Sequence, residues 1–497
     1  MPAGAFDAGR FAELFQEFLQ TMGELRPARE ERLRRLVSDH LGRDPAGLPV
    51  LAERFAVLEH PNLQLALDAL LAGGEGQSVV GLPTEVRHYS DFSLAGLLAG
   101  RFHGPGDPSP IEYVNLPVDV DSSLPCAQLA VYLLRREGVP VVVFLLRSDE
   151  RSGGGLGVEV LAPERHQAEE FLRHLRELML ERNVYRGKLL GFSFGEYGGF
   201  GMTFQRLPTL TRDQLVLPAE DFEAIERHTV GIAEKAEVLR AAGRHLKRGL
   251  LLYGPPGTGK TLSVMYLCSR MPGRTTLLLS GPGASALGQA VALARALQPS
   301  MVVLEDVDLV AMERTMPGME TNPLLFSLLN EMDGLAEDAD VIFVLTTNRV
   351  ELLEPALTAR PGRIDQAVEI GLPGEESRQR LFRLYLRGVA HDVGSLDGLV
   401  GRTNGASAAF IKELVRRATL LAADEGGVPL LVSTGHLERA VDDLLEHSAP
   451  ILRSMLGAAQ EDGVQGPLGP VTPPSWHGPP QGWVAYGGDQ PSARWSR

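Results

Sequence analysis

Apolar residues recur at helical spacing at Phe11, Leu14, Phe15, Phe18, Leu19 and Met22, and again from about Leu51 to Leu71, so the opening stretch is predicted to be helical. A Gly/Pro-rich break, GRFHGPGDPSP (Gly100 to Pro110), precedes a mixed pattern. There the spacing predicts strands at Tyr113–Val120, Val139–Leu146 and Leu156–Leu161, helices at Gln128–Arg136 and Glu164–Glu181, and shorter strands near Lys188–Phe194 and Gly201–Phe204. From about Pro218 to Pro373, strand-like runs alternate with helical stretches, as in a parallel sheet with helical crossovers. Beyond Glu375 only the helical period persists, to about Leu456. The end of the chain is rich in Pro and Gly, carries Trp476, Trp483 and Trp495, and is predicted to be disordered.

These shifts divide the chain into a helical segment (1–110), an α/β domain (111–215), a large α/β unit (216–374), a helical unit (375–456) and a tail (457–497). The expected fold class is α/β: a three-layer sheet followed by a small helical lid, with a separate α+β N-terminal region. At 497 residues the chain exceeds one ordinary core. Its 44% hydrophobic and 22% charged residues suit a soluble protein, and no apolar run approaches the roughly 20 residues of a membrane span. The start lacks a basic region followed by an apolar one, and the only cysteines are Cys126 and Cys268. A cytoplasmic protein without a membrane partner is expected. The net charge of −15 argues against a general nucleic-acid binder.

Leu250 to Tyr253 reads as a strand running into GPPGTGKT, and the apolar helical pattern LSVMYLC follows. This is the G-x-x-x-x-G-K-[ST] phosphate loop in the context it requires. Glycines let successive backbone N–H groups converge on phosphates, and the helix that follows offers the positive end of its dipole. Gly254, Pro255, Pro256, Gly257, Thr258, Gly259, Lys260, Thr261 and Leu262 are therefore the expected nucleotide contacts, with Lys260 reaching the β and γ phosphates of ATP and Thr261 ligating Mg²⁺. A second acidic strand end is then needed beside the first. MVVLEDVDLV supplies one, with Glu305 and Asp306: one carboxylate holds the Mg²⁺ shell together with Thr261, the other orients the attacking water. No H-E-x-x-H and no second phosphate loop occur, which argues against a fused zinc protease or a tandem ATPase.

With KRGLLLYGPPGTGKT (Lys247 to Thr261), LLNEMDGL (Leu328 to Leu335) and TTNRVELLEPALTARPGRID (Thr346 to Asp365), the chain resembles the AAA family of ATPases over roughly Pro218 to Leu456. The resemblance implies that Asn348 is the sensor beside the γ-phosphate and that Arg360 and Arg363 are arginine fingers serving a neighbouring subunit. It also implies a homo-oligomeric ring, a hexamer as in relatives. The acidic pair is reversed from the family's Asp-Glu order, as in the branch resembling the mitochondrial translocase of the Rieske iron–sulfur protein. Between Leu278 and Met301 the aromatic pore motif is replaced by Ala286-Leu287-Gly288, which leaves a threading grip without its ring. Gly401 to Gly426 resembles the lid, with Gly405-Ala406-Ser407 near the nucleotide, and His228 to Ile232 stands where relatives line the adenine pocket. The expected function is a ring-forming, protein-remodelling ATPase acting on an unidentified protein client. The alternatives are a slow nucleotide-dependent switch or scaffold and, behind it, a nucleic-acid-dependent motor.

Overall fold

The computed structural model describes residues 10, 14–17, 31–74, 76–82, 93–98, 108–148, 155–194, 200–281, 286–308, 323–334, 336, 338–353, 363–426 and 430–444. The predicted tail and Arg360 lie outside them, as does most of the stretch around Phe11 to Met22, of which residues 10 and 14–17 are helical.

The N-terminal region is built on one antiparallel sheet. Its strands are β1 (Val50–Phe55), β2 (Ser78–Gly81), β5 (Leu129–Arg136), β6 (Val139–Ser148) and β7 (Gly155–Leu161), in the order β1-β7-β6-β5-β2, and β3 (Tyr113–Asp119) with β4 (Ser122–Ala127) forms a separate hairpin. Helices α1 (Glu31–Leu41) and α3 (Leu94–Leu98) cover one face of the sheet, and α2 (His60–Ala72) and α4 (Arg165–Glu181) cover the other. Two expectations are corrected here. Residues 1–110 are not a separate helical segment, because β1 and β2 are strands of the same sheet as β5 to β7. Gln128–Arg136 is not a helix but β5, whose residues alternate between the two cores: Ala130, Tyr132 and Leu134 enter one, and Leu129, Val131 and Leu133 enter the other. A strand buried on both faces reads as an unbroken apolar run, which periodicity does not separate from a helix.

The second sheet has seven strands, β8 (Leu189–Phe194), β9 (Phe200–Gln205), β10 (Arg248–Tyr253), β11 (Thr275–Ser280), β12 (Ser300–Glu305), β13 (Val341–Thr347) and β14 (Gln366–Glu369), in the order β14-β10-β13-β12-β11-β8-β9. From β14 to β8 every pairing is parallel, and β9 closes the edge antiparallel to β8. The expected boundary at 215 therefore misses β8 and β9, which precede it in sequence yet extend this sheet.

Each central strand feeds two cores by the same alternation. Val302 and Leu304 of β12 enter one, whereas Met301 and Val303 enter the other. The helices that flank the sheet include α5 (Ala219–His228), α6 (Val230–Glu234), α7 (Ala236–Ala241), α8 (Lys260–Arg270), α9 (Leu287–Ala296) and α10 (Pro323–Asp333). The last unit is helical: α11 (Glu375–Tyr385), α12 (Asp397–Arg402), α13 (Ala408–Asp424) and α14 (Thr434–Asp442) surround Phe382, Phe410, Leu414 and Leu437. One face of α13 is apolar: Ile411, Leu414, Val415 and Ala418 are buried, with Ala408 and Leu421 partly buried beside them.

Candidate active site

The loop after β10 is shaped by its glycines. Gly254, Gly257 and Gly259 have φ of 138°, 74° and 118°, a region side chains disfavour, so other residues would resist this path. Two of them are also crowded. A Cβ on Gly254 would lie 2.4 Å from the Ile370 carbonyl oxygen, and one on Gly257 would lie 2.8 Å from the Ala409 Cβ and 2.9 Å from the Ser407 Oγ. The second contact brings the start of α13 onto the loop, where the Ala409 N–H donates to the Gly257 carbonyl at 3.0 Å. Ser407 caps that helix by accepting from the Phe410 N–H at 3.2 Å. The lid is thus in contact with the phosphate loop through the segment expected near the nucleotide.

Lys260 opens α8 and is only 6% exposed. Its ammonium donates to the carbonyls of Gly254 and Pro255, each at 2.8 Å. Burial pulls its pKa down, and the negative charges of Asp306 and Asp308 oppose that shift.

The acids at the end of β12 are not immediately beside this loop, because β13 lies between β10 and β12. That places Thr346, Thr347 and Asn348, at the end of β13, between the loop-bearing strand and the acid-bearing one. Burial raises the pKa of the Glu305 carboxyl, a hydrogen bond from the Thr261 hydroxyl opposes this, and the charge of Asp306 adds to the rise. Its Oε1 is buried with no hydrogen-bond partner. A buried carboxylate oxygen left over beside a threonine hydroxyl suits a hard cation such as Mg²⁺, which takes oxygen ligands. Asp306 has φ of 50°, and its carboxylate accepts from Asn348 Nδ2 at 3.3 Å. The structure thus joins Thr261 to Glu305 and Asn348 to Asp306.

Arg363 lies at the start of the segment that lines up against β10. The Asp365 carboxylate accepts from the Gly249 N–H at 2.8 Å, and the Arg363 guanidinium forms an ion pair with Asp333 of the same chain.

A cavity of about 240 Å³ beside the loop is lined by Val216, Leu217, Asp221, Thr258, Glu369 and Ala408, among others. His228 to Ile232 do not line it: Thr229 is buried with its hydroxyl donating to the Ile225 carbonyl at 2.6 Å, and Val230 belongs to the core. Burial, reinforced by Glu220 and Glu369, raises the pKa of Asp221 on the cavity wall.

A parallel sheet whose strand ends in a glycine-shaped loop, with a buried lysine at the next helix start and an acid facing its threonine, defines a phosphate-loop nucleoside triphosphatase. Residues 250–372 match the family described as "ATPase family associated with various cellular activities (AAA)", and the chain carries an AAA ATPase domain, whose ligands are ATP and Mg²⁺. It is 32% identical over 385 residues to ATP-dependent zinc metalloprotease FtsH 4 of Sphaerobacter thermophilus, covering 73% of this chain and 56% of that protein. It is 32% identical over 268 residues to ATP-dependent zinc metalloprotease FtsH of Mycobacterium leprae, covering 50% of this chain and 33% of the relative. It is also 32% identical over 250 residues to ATP-dependent zinc metalloprotease YME1L of Drosophila melanogaster, covering 47% and 33%. The chain therefore spans between a third and rather over half of the length of these relatives. Among the described residues no helix is long and apolar enough to cross a membrane, and no group of three or more His, Cys, Asp or Glu side chains could hold a metal.

Proposed function

We propose that this protein hydrolyses ATP and uses the resulting motion between the sheet and the lid to remodel a protein client. The observation that carries the reading is Glu305, with a buried oxygen left over beside Thr261, next in sequence to Lys260, whose ammonium is held among the loop carbonyls near Asp306. When bound, Mg²⁺ and ATP supply the transferable γ-phosphoryl group and neutralise its charge. The chain's own residues supply the rest. The left-handed glycines turn backbone N–H groups towards the phosphates, and Lys260 exchanges its two loop carbonyls for phosphate oxygens. Thr261 and Glu305 hold the cation. Asp306, in contact with Asn348, aligns the attacking water and accepts its proton. The cavity formed by Val216, Leu217 and Ala408 takes the base.

On the family resemblance, Arg360 and Arg363 complete the site of a neighbouring copy in a homo-oligomeric ring, and Arg363 would give up Asp333 to do so. The two cysteines are free and buried, which fits a cytoplasmic protein. The chemistry named for the relatives as metalloproteases is not carried over, since the sequence contains no H-E-x-x-H.

Steady-state turnover and binding of a fluorescent ATP analogue test the reading together. Lys260→Ala should lose nucleotide affinity, whereas Asp306→Asn should bind ATP and fail to turn it over. Arg360→Ala should bind but hydrolyse about 10³-fold more slowly, and mixing it with Asp306→Asn subunits should restore part of the rate. Assembly with ATP and no turnover above the Lys260→Ala control would instead favour the nucleotide switch, a reading that the short Asp306 side chain in the water-activating place makes specific.

A further inference from the structure

We propose that Asp308 is a positioning residue of the hydrolytic site, holding the end of β13 so that Asn348 meets Asp306; the inference rests on the ATPase reading above. Asp308 is a carboxylate only 3% exposed, two residues beyond one acid of the site and three beyond the other. Burying a third acid there is costly unless its oxygens are satisfied. Among the described residues it makes no ion pair; its Oδ1 accepts from the Thr347 hydroxyl at 2.9 Å and from the Asn348 backbone N–H at 3.2 Å. Both donors belong to the last residues of β13 and the turn after it.

A second stitch runs beside the first, as the Asp306 N–H donates to the Thr346 Oγ1 at 3.0 Å. The ends of β12 and β13 are thus bound reciprocally, each residue of Thr346-Thr347-Asn348 bonded to Asp306 or Asp308. This arrangement bears on chemistry because the contact it serves is weak. Asn348 Nδ2 reaches Asp306 at 3.3 Å, near the outer limit of a hydrogen bond, and Asp306 itself sits at φ of 50°. Neither group fixes the other strongly. The orientation of the carboxamide is set instead by the backbone of Asn348, and Asp308 grips that backbone directly. A side chain that only filled space would be replaced as well by an apolar residue of similar size, whereas a buried acceptor for two strand-end donors is what holding this register needs.

The test compares Asp308→Ala, Asp308→Asn and Thr347→Val in the full chain, measuring kcat, KM and nucleotide affinity. Asp308→Ala should lower kcat about tenfold to a hundredfold, the cost of small misplacement, with ATP affinity within about threefold of the parent. Asp308→Asn keeps an oxygen acceptor in place and should recover most of that loss. Thr347→Val removes one donor while leaving the buried acid, and should lower kcat about threefold to tenfold with little change in melting temperature; it carries the test if Asp308→Ala fails to fold. In Asn348→Ala, adding Asp308→Ala should cost little more, because the group being positioned is already gone. Full kcat in Thr347→Val, no recovery in Asp308→Asn, or additive losses in the double variant would overturn the proposal while leaving the ATPase reading intact. Turnover in the parent no higher than in Lys260→Ala would overturn both.

Discussion

His60 is fully buried, and its two ring nitrogens face partners of opposite kind: Nε2 lies 2.9 Å from the Ala127 carbonyl, which only accepts, and Nδ1 lies 3.3 Å from the Arg147 guanidinium, which only donates. The ring is therefore neutral with its proton on Nε2, and a second proton would sit against a cation. Burial and then Arg147 push its pKa from 6.5 down to about 4. The unfolded chain takes up that proton first, so stability from this residue is complete above pH 6.5, falls as the pH is lowered, and levels off near pH 4. The loss amounts to roughly 3 kcal/mol by linkage. His60→Gln preserves one donor and one acceptor without titrating, so its urea midpoint should fall less than the parent's between those limits. Equal slopes in the two proteins would refute the assignment. At this scale the sequence was legible where function is local: Gly254 to Thr261 states its chemistry within one loop. The roles of His60 and Asp308 were not, because each depends on partners far along the chain, Ala127 and Arg147 for one and Thr347 for the other.

Among elements, the contrast between β5 and α13 shows what periodicity conveys. One face of α13 is apolar and the other meets solvent, so the spacing of its apolar residues is enough to identify a helix. In β5 both faces are covered by helices, and LAVYLLRR carries no alternation by which to know it. Its neighbour β6 is buried in the same manner, with Val141, Val143 and Leu145 on one side and Val142 and Phe144 on the other. Phe144 is 1% exposed beneath α1, so Phe144→Ala should cost about 3–5 kcal/mol through lost burial and an unfilled cavity. A melting curve within a degree or two of the parent would show that α1 does not seal that face. The sheet of the ATPase domain was better foreshadowed, since its strands alternate with helices along the chain. The order of its strands was not, and with it went the position of β13 between loop and acids.

For the whole molecule, the decisive feature is the path from Val184 to Gln205. The Asn62 side-chain oxygen accepts from the Val184 N–H at 2.9 Å, and the Tyr185 hydroxyl donates to the Leu58 carbonyl, while the Tyr185 ring lies in the core of the second sheet, stacked on Phe204 at 5.7 Å. Gly187 N–H donates to the Thr275 hydroxyl at 3.0 Å, and Arg186 to the Gln298 carbonyl at 3.0 Å. No composition change marks this passage, so the sequence suggested a boundary at the next loop instead. A fragment beginning at Val216 would lack β8 and β9 and expose the β11 edge together with Leu277 and Leu279; it should aggregate or melt well below one beginning at Asn183, as judged by light scattering and thermal unfolding. Equal behaviour of the two would mean that the added strands contribute nothing to the fold.

The direction of β8 has a mechanical meaning. It lies parallel to β11 in consecutive register, Leu189 with Thr276, Leu190 with Leu277 and Gly191 with Leu278. Tension arriving along either strand is shared by the whole row of bonds in shear, as in a lap joint, instead of unzipping them singly. On the proposed function, work done on the ATPase sheet would reach the N-terminal region through this row of bonds, so that β8 and β11 would move as one piece.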